Sequence, residues 1–254
     1  MENSRRLFIR QLLSIAAAGA IAPSAVAQSL SRPSIKALAF DAFPIFDPRP
    51  IFKLAEELFP EKGKELSDIW RTRQFEYQWL RALSDEYKDF MTVTQDALMY
   101  AANAVQVSLT DEKRNALLNA YLKLKIWPDV LPALKTLHTA GVKLVFLSNM
   151  TEEMLRRNMD NNGLTSLIHA VYSTDCNHSY KPSPRAYQIA IDKLKLKKAE
   201  IGFVAFAGWD ASGAKLFGYP TYWVNRANQK KEELGVNADW TGNNLSELVK
   251  YLQE

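Results

Sequence analysis

Two hydrophobic rhythms divide this chain. Ile35, Ala37, Leu38, Ala39 and Phe40 form a short apolar run that stops at the charge of Asp41. A run ended so abruptly predicts a strand buried on both faces of a parallel sheet. Pro44, Pro48 and Pro50 then turn the backbone away. Beyond them the apolar positions recur at helical spacing, over Ile51 to Phe59, Glu65 to Leu83, Thr92 to Ala104 and Asp111 to Leu124. Thr110 is the expected N-cap of the last of these, with Asp111 in its first turn. No strand pattern interrupts this block. Roughly eighty residues of helix between one strand and the next are too many for a crossover. Residues 48–126 therefore read as an inserted helical cap domain.

From Trp127-Pro128-Asp129 onward helix and strand alternate. Helices are expected over Val130 to Ala140 (closed by Gly141), Glu152 to Asn161 (stopped at Gly163), Pro184 to Leu194 and Ala211 to Phe217. Strands are expected over Val142 to Leu147, Ala170 to Ser173, Ile201 to Ala207 and, last, Thr221 to Val224. With right-handed crossovers this is an α/β fold, a doubly wound, Rossmann-like parallel sheet. The core domain then comprises residues 34–47 and 127–254.

The first residues stand apart from both rhythms. Arg5, Arg6 and Arg10 precede an alanine-rich apolar run from Leu12 to Ala22, and Ala25-Val26-Ala27 offers small residues for cleavage. The run is too short to span a bilayer, so residues 1–27 read as an export signal cleaved near Ala27, with no stable membrane anchor. Ser4-Arg5-Arg6-Leu7-Phe8-Ile9 resembles the twin-arginine (Tat) motif, which makes the expected location periplasmic. The formal charge of +4 is partly this signal. Removing it takes away three Arg and one Glu and leaves +2. The remaining basic residues are scattered, which argues against a nucleic-acid partner. Cys176 is the only cysteine and there are three histidines, so neither an intrachain disulfide nor a zinc cluster is expected.

Four polar groups recur at or just beyond strand ends: Asp41, Ser148-Asn149, Lys181 and Asp210. In a parallel sheet these ends share one edge, so residues distant in sequence meet in one crevice. Each has a plainer alternative, as a turn former, a helix cap or an exposed lysine. Their joint occurrence favours a site.

The order and local sequences resemble the haloacid dehalogenase superfamily, and more narrowly the L-2-haloacid dehalogenases (type II). The carriers are F-D-A-F at Phe40 to Phe43, W-R-T-R-Q-F-E-Y-Q-W-L-R at Trp70 to Arg81, L-S-N at Leu147 to Asn149, Y-K-P-S-P-R-A-Y at Tyr180 to Tyr187 and W-D-A-S-G-A at Trp209 to Ala214. Phosphatases of the superfamily carry a second Asp two residues after the nucleophile and an acidic pair for Mg²⁺. Here those positions hold Phe43 and a lone Asp210. No metal and no cofactor are therefore expected.

The resemblance implies a hydrolase acting on a small 2-haloacid and water. Asp41 attacks C2 of an L-2-haloalkanoate to form an ester, and water then releases a D-2-hydroxy acid. Lys181 and Asp210 complete the catalytic set. Arg71 and Asn149 cradle the halide, Ser148 and Lys181 fix the substrate carboxylate or keep Asp41 ionised, Tyr187 supports that network, and Trp209 lines the pocket. The plainer alternative for Arg71 is an ion pair with Glu65 or Glu76, and for Tyr187 and Trp209 it is core packing. The family often forms dimers through cap helices, so the resemblance also implies a homodimer.

Two departures from the family pattern bear on ester hydrolysis. Pro44-Ile45 stands where Gly-Thr is usual, and Ala205 and Ala207 stand where Ser and Asn are usual. Two readings stay open: a 2-haloacid dehalogenase, and a diverged protein that binds a small carboxylate with weak or no turnover.

Overall fold

The structure, a computed structural model, describes residues 35–254. The expected export signal at residues 1–27 lies outside the described residues. The predicted first strand is β1 (Ala37–Phe40). It lies inside a six-stranded sheet together with β4 (Lys143–Ser148), β5 (Ala170–Ser173), β6 (Ile201–Ala205), β7 (Thr221–Val224) and β8 (Trp240–Gly242). Their spatial order is β5-β4-β1-β6-β7-β8, with every adjacent pair parallel. Because side chains alternate along a strand, β1 serves two cores. Leu38 and Phe40 join Phe146 and Val204 on one face. Ala37 and Ala39 join Val145, Leu147, Phe203 and Ala205 on the other. The unbroken apolar run was the trace of this double burial.

Helices cover both faces. α5 (Val130–Thr139) and α6 (Glu152–Asn161) pack on the Leu38 side, and α7 (Pro184–Leu194) and α8 (Gly208–Phe217) on the Ala37 side. The inserted block consists of α1 (Arg49–Leu58), α2 (Gly63–Leu83), α3 (Phe90–Ala104) and α4 (Asp111–Ala120). Thr110 caps α4 by accepting from the Lys113 N–H, and Asp89 caps α3. Gly63 allows α1 and α2 to meet closely: a Cβ there would lie 2.4 Å from the Ala55 carbonyl oxygen.

Three expectations change. A short antiparallel ribbon, β2 (Phe46–Asp47) with β3 (Lys125–Ile126), ties the two ends of the helical block together. Two residues per strand are too few to carry a period. Thr221–Val224 is not the last element, because β8 extends the sheet edge and α9 (Leu245–Gln253) packs on α5. The strand at Ile201 ends at Ala205, and α8 begins at Gly208, so Trp209 and Asp210 occupy a helix's first turn.

Candidate active site

β1 delivers Asp41 to the C-terminal edge of the sheet, between β4 and β6, where open α/β sheets form their crevice. Its backbone N–H donates to Val204 O, which anchors it to the sheet (3.0 Å). Its side chain is nearly buried and well supplied with donors. Oδ1 accepts from Lys181 Nζ (2.9 Å) and Ser148 Oγ (3.2 Å), and among the described residues Oδ2 accepts only from the Phe43 N–H (3.3 Å).

Lys181 is 1% exposed and joins two carboxylates, donating to Asp41 and to Asp210 Oδ2. Burial opposes its charge, but Asp210 and Asp41 outweigh that and hold its pKa above the ordinary lysine value. Asp210 is also buried, and this pushes its carboxyl up to about 6 against the pull of Lys181. Its Oδ1 accepts from the Tyr187 hydroxyl (2.7 Å). Burial and the Asp210 charge hold that hydroxyl well above the ordinary tyrosine range, so it stays protonated and donating. Gly213 makes the close approach possible, since a Cβ there would meet Pro182 Cβ and Tyr187 Oη at 2.6 Å.

A cavity of about 210 Å³ opens above this group. By liquid volume that is on the order of seven waters, which suits a small organic acid. Asp41, Ser148, Asn149, Lys181, Asp210, Arg71 and Trp209 all line it, together with Ala207. Tyr187 does not; it stands behind Asp210 and acts on that carboxylate. Trp209 packs edge-on against Phe75 and Trp79 of α2 (5.3 and 5.5 Å between ring centres), so it is a wall of the cavity. The plainer alternative for Arg71 does not hold. Glu65 pairs with Lys62 and Glu76 with Arg73, and among the described residues no carboxylate pairs with Arg71. Asn149 is fixed by three contacts. Its Oδ1 accepts from the Lys181 N–H (2.9 Å) and from Thr174 Oγ1 (3.3 Å), and its Nδ2 donates to Gln78 Oε1 (2.8 Å).

The altered loop after Asp41 is clamped from a distance. Arg226 donates to Pro44 O (2.8 and 3.2 Å) and makes a two-pronged pair with Asp129 (2.9 Å each). Trp127 lies under its guanidinium and donates its indole N–H to Phe43 O (3.0 Å). Ile45 is wholly buried, and its carbonyl accepts from the Trp127 N–H (3.1 Å). Pro44 and Ile45 thus occupy a rigid turn whose carbonyls are satisfied. Ala205 is buried in the core, and Ala207 brings no side-chain donor to the cavity.

Gln78 and Arg226 line the cavity and were not singled out as site residues from sequence. Gln78 follows Arg71 by seven residues, a spacing that repeats one helix face and could have marked it. Nothing local marked Arg226. Among the described residues no group of three or more His, Cys, Asp or Glu is placed to hold a metal ion, and no helix is long and apolar enough to cross a membrane.

The family model described as "haloacid dehalogenase-like hydrolase" matches residues 22–218. The "(S)-2-haloacid dehalogenase 2" of Pseudomonas sp. (strain CBS-3) is 36% identical over 219 residues, covering 86% of this chain and 96% of that protein. A solved L-2-haloacid dehalogenase superposes with a TM-score of 0.85 at 36% identity, covering 87% of this chain and all of the other (100%). The L-2-haloacid dehalogenase of Xanthobacter autotrophicus, solved with chloropropionic acid covalently bound, gives a TM-score of 0.80 at 30% identity, covering 86% of this chain and 98% of that one.

Proposed function

This chain belongs to the haloacid dehalogenase-like hydrolases, and from that premise we propose that it cleaves the carbon–halogen bond of small L-2-haloalkanoic acids through an ester on Asp41. The observation that carries the reading is the state of the Asp41 carboxylate. Oδ1 is held by a cation and a hydroxyl, while among the described residues Oδ2 accepts a single long contact, from the Phe43 N–H, and Asp41 lines the cavity.

Oδ2 forms a bond to C2 as the carbon–halogen bond breaks, and the halide leaves with the electron pair toward Arg71 and Asn149. Donors that meet that developing charge lower the barrier. Water then adds at Asp41 Cγ, and the ester C–O bond breaks. The 2-hydroxy acid leaves with one water proton, and the other passes to Asp210. Mass spectrometry of protein incubated with L-2-chloropropionate tests this. Asp41 should carry the propionate ester, with chloride released. Absence of both sinks the reading.

Ala205 and Ala207 favour a second outcome, in which the ester forms and persists because few side chains hold the hydrolytic water. One equivalent of chloride without turnover identifies it.

The Asp210 carboxyl sets a pH limb. Ionised, it holds Lys181 against Asp41. Because burial raises its pKa to about 6, it gains a proton as pH falls through that value. Single-turnover ester formation should therefore drop about tenfold per pH unit below about pH 6. In Asp210→Asn the rate should be low and lack this limb; an unchanged limb in that variant contradicts the assignment.

A further inference from the structure

One buried donor beside the cavity has no acceptor among the described residues. Gln78 is fully buried, and its neighbours dictate which way its amide faces. Asn149 Oδ1 is taken by the Lys181 N–H and the Thr174 hydroxyl, so Asn149 Nδ2 must face α2. Gln78 meets that amide with its carbonyl, Oε1, at 2.8 Å. Turned over, two NH₂ groups would oppose each other. The outcome is that Gln78 Nε2 lies buried with no hydrogen-bond partner among the described residues. Two neighbouring side-chain donors of α2 are in use: Gln74 Nε2 donates to Thr94 and Tyr121, and Trp79 Nε1 to Lys181 O. Keeping an amide donor unmade in such a place is costly, so its retention asks for a ligand.

We propose that Gln78 binds the departing halide, adding a neutral donor from α2 to the Arg71 cation and the Asn149 amide. This rests on the dehalogenase reading above. In this structure the Gln78 carbonyl accepts a hydrogen bond from Asn149 Nδ2. When the halide accepts the Asn149 hydrogen bond instead, the broad terminal torsion of Gln78 lets Nε2 turn onto the anion. The same side chain is thus acceptor to Asn149 without ligand and donor to the halide with it. Arg71 and Gln78 lie on one face of α2 and both line the cavity, so a single helix presents both groups.

The test is titration of bromide into the full-length protein, followed by calorimetry, for wild type, Gln78→Met, Asn149→Ala and the double variant. Met keeps the volume and removes the amide. Gln78→Met should weaken bromide binding roughly tenfold or more. A residue that only braced Asn149 would lose its effect once Asn149 is gone, so the cycle separates the two roles. The proposal expects Gln78→Met to weaken bromide in the Asn149→Ala background as well. Unchanged affinity in either background overturns it while leaving the dehalogenase reading intact. Failure of wild type to release halide or form the ester removes that reading and this inference together. Thermal midpoints recorded alongside identify a variant that is not folded, and Gln78→Leu then replaces Gln78→Met.

Discussion

Asp41→Asn should abolish halide release, by at least about a thousandfold, on the scale seen when a covalent nucleophile is removed. The substituted amide oxygen is a poor nucleophile, and its NH₂ would have to avoid Lys181 Nζ, which donates to Asp41 Oδ1 in the native site. The fold should nevertheless survive. Removing one carboxylate leaves Lys181 paired with Asp210, so no buried charge is orphaned. The expected result is thus an inactive protein with a thermal midpoint within a few degrees of wild type. Chloride assay, ester mass and thermal scan on one preparation check it together. Substantial turnover in Asp41→Asn would mean that a different group attacks the substrate.

Replacing Lys181 has the opposite balance. Lys181→Met leaves Asp41 and Asp210 facing each other in a buried site without the cation that joins them. Breaking such a group by removing one partner costs about 3–5 kcal/mol. At about 2–4 °C per kcal/mol for a chain of this size, the midpoint should fall by roughly 6–20 °C. The sign with pH follows from Asp210. Its folded pKa already stands above the unfolded value through burial, and losing Lys181 raises it further. A carboxyl with a raised folded pKa stabilises the protein most at low pH and loses that contribution as pH rises through the folded pKa. The deficit of Lys181→Met should therefore shrink toward pH 5 and widen toward pH 8. Activity should fall at least about a hundredfold at neutral pH, because a proton retained by the pair blunts the nucleophile. A pH-independent deficit would show that Lys181 acts through packing alone.

Much of the fold was legible because its signals are local. β1, β4 and β6 read as apolar runs since each is buried on both faces, and α6 and α7 read to the residue because Gly163 and Pro184 mark their ends. The site was legible in part for the same reason: a parallel sheet brings all strand ends to one edge. The failures are equally physical. β2 and β3 are two residues each and exist only through each other. β8 is three residues paired with β7, after a long polar loop that shows no period. Asp210 reads as a strand end, but the chain enters α8 before reaching it.

By itself the sequence determined the alternation of elements, the place of Asp41 at the end of a doubly buried strand, and the set of polar residues able to meet there. It also held the two departures, Pro44-Ile45 and Ala205 with Ala207. Only the tertiary structure decided how those departures are accommodated. Arg226, 182 residues from Pro44, satisfies that carbonyl. The direction of Gln78 is decided by an Asn149 whose own orientation depends on Lys181 and Thr174. Periodicity reports which face of an element is buried. Which donor finds which acceptor is set by packing between elements far apart along the chain, and no local pattern encodes it.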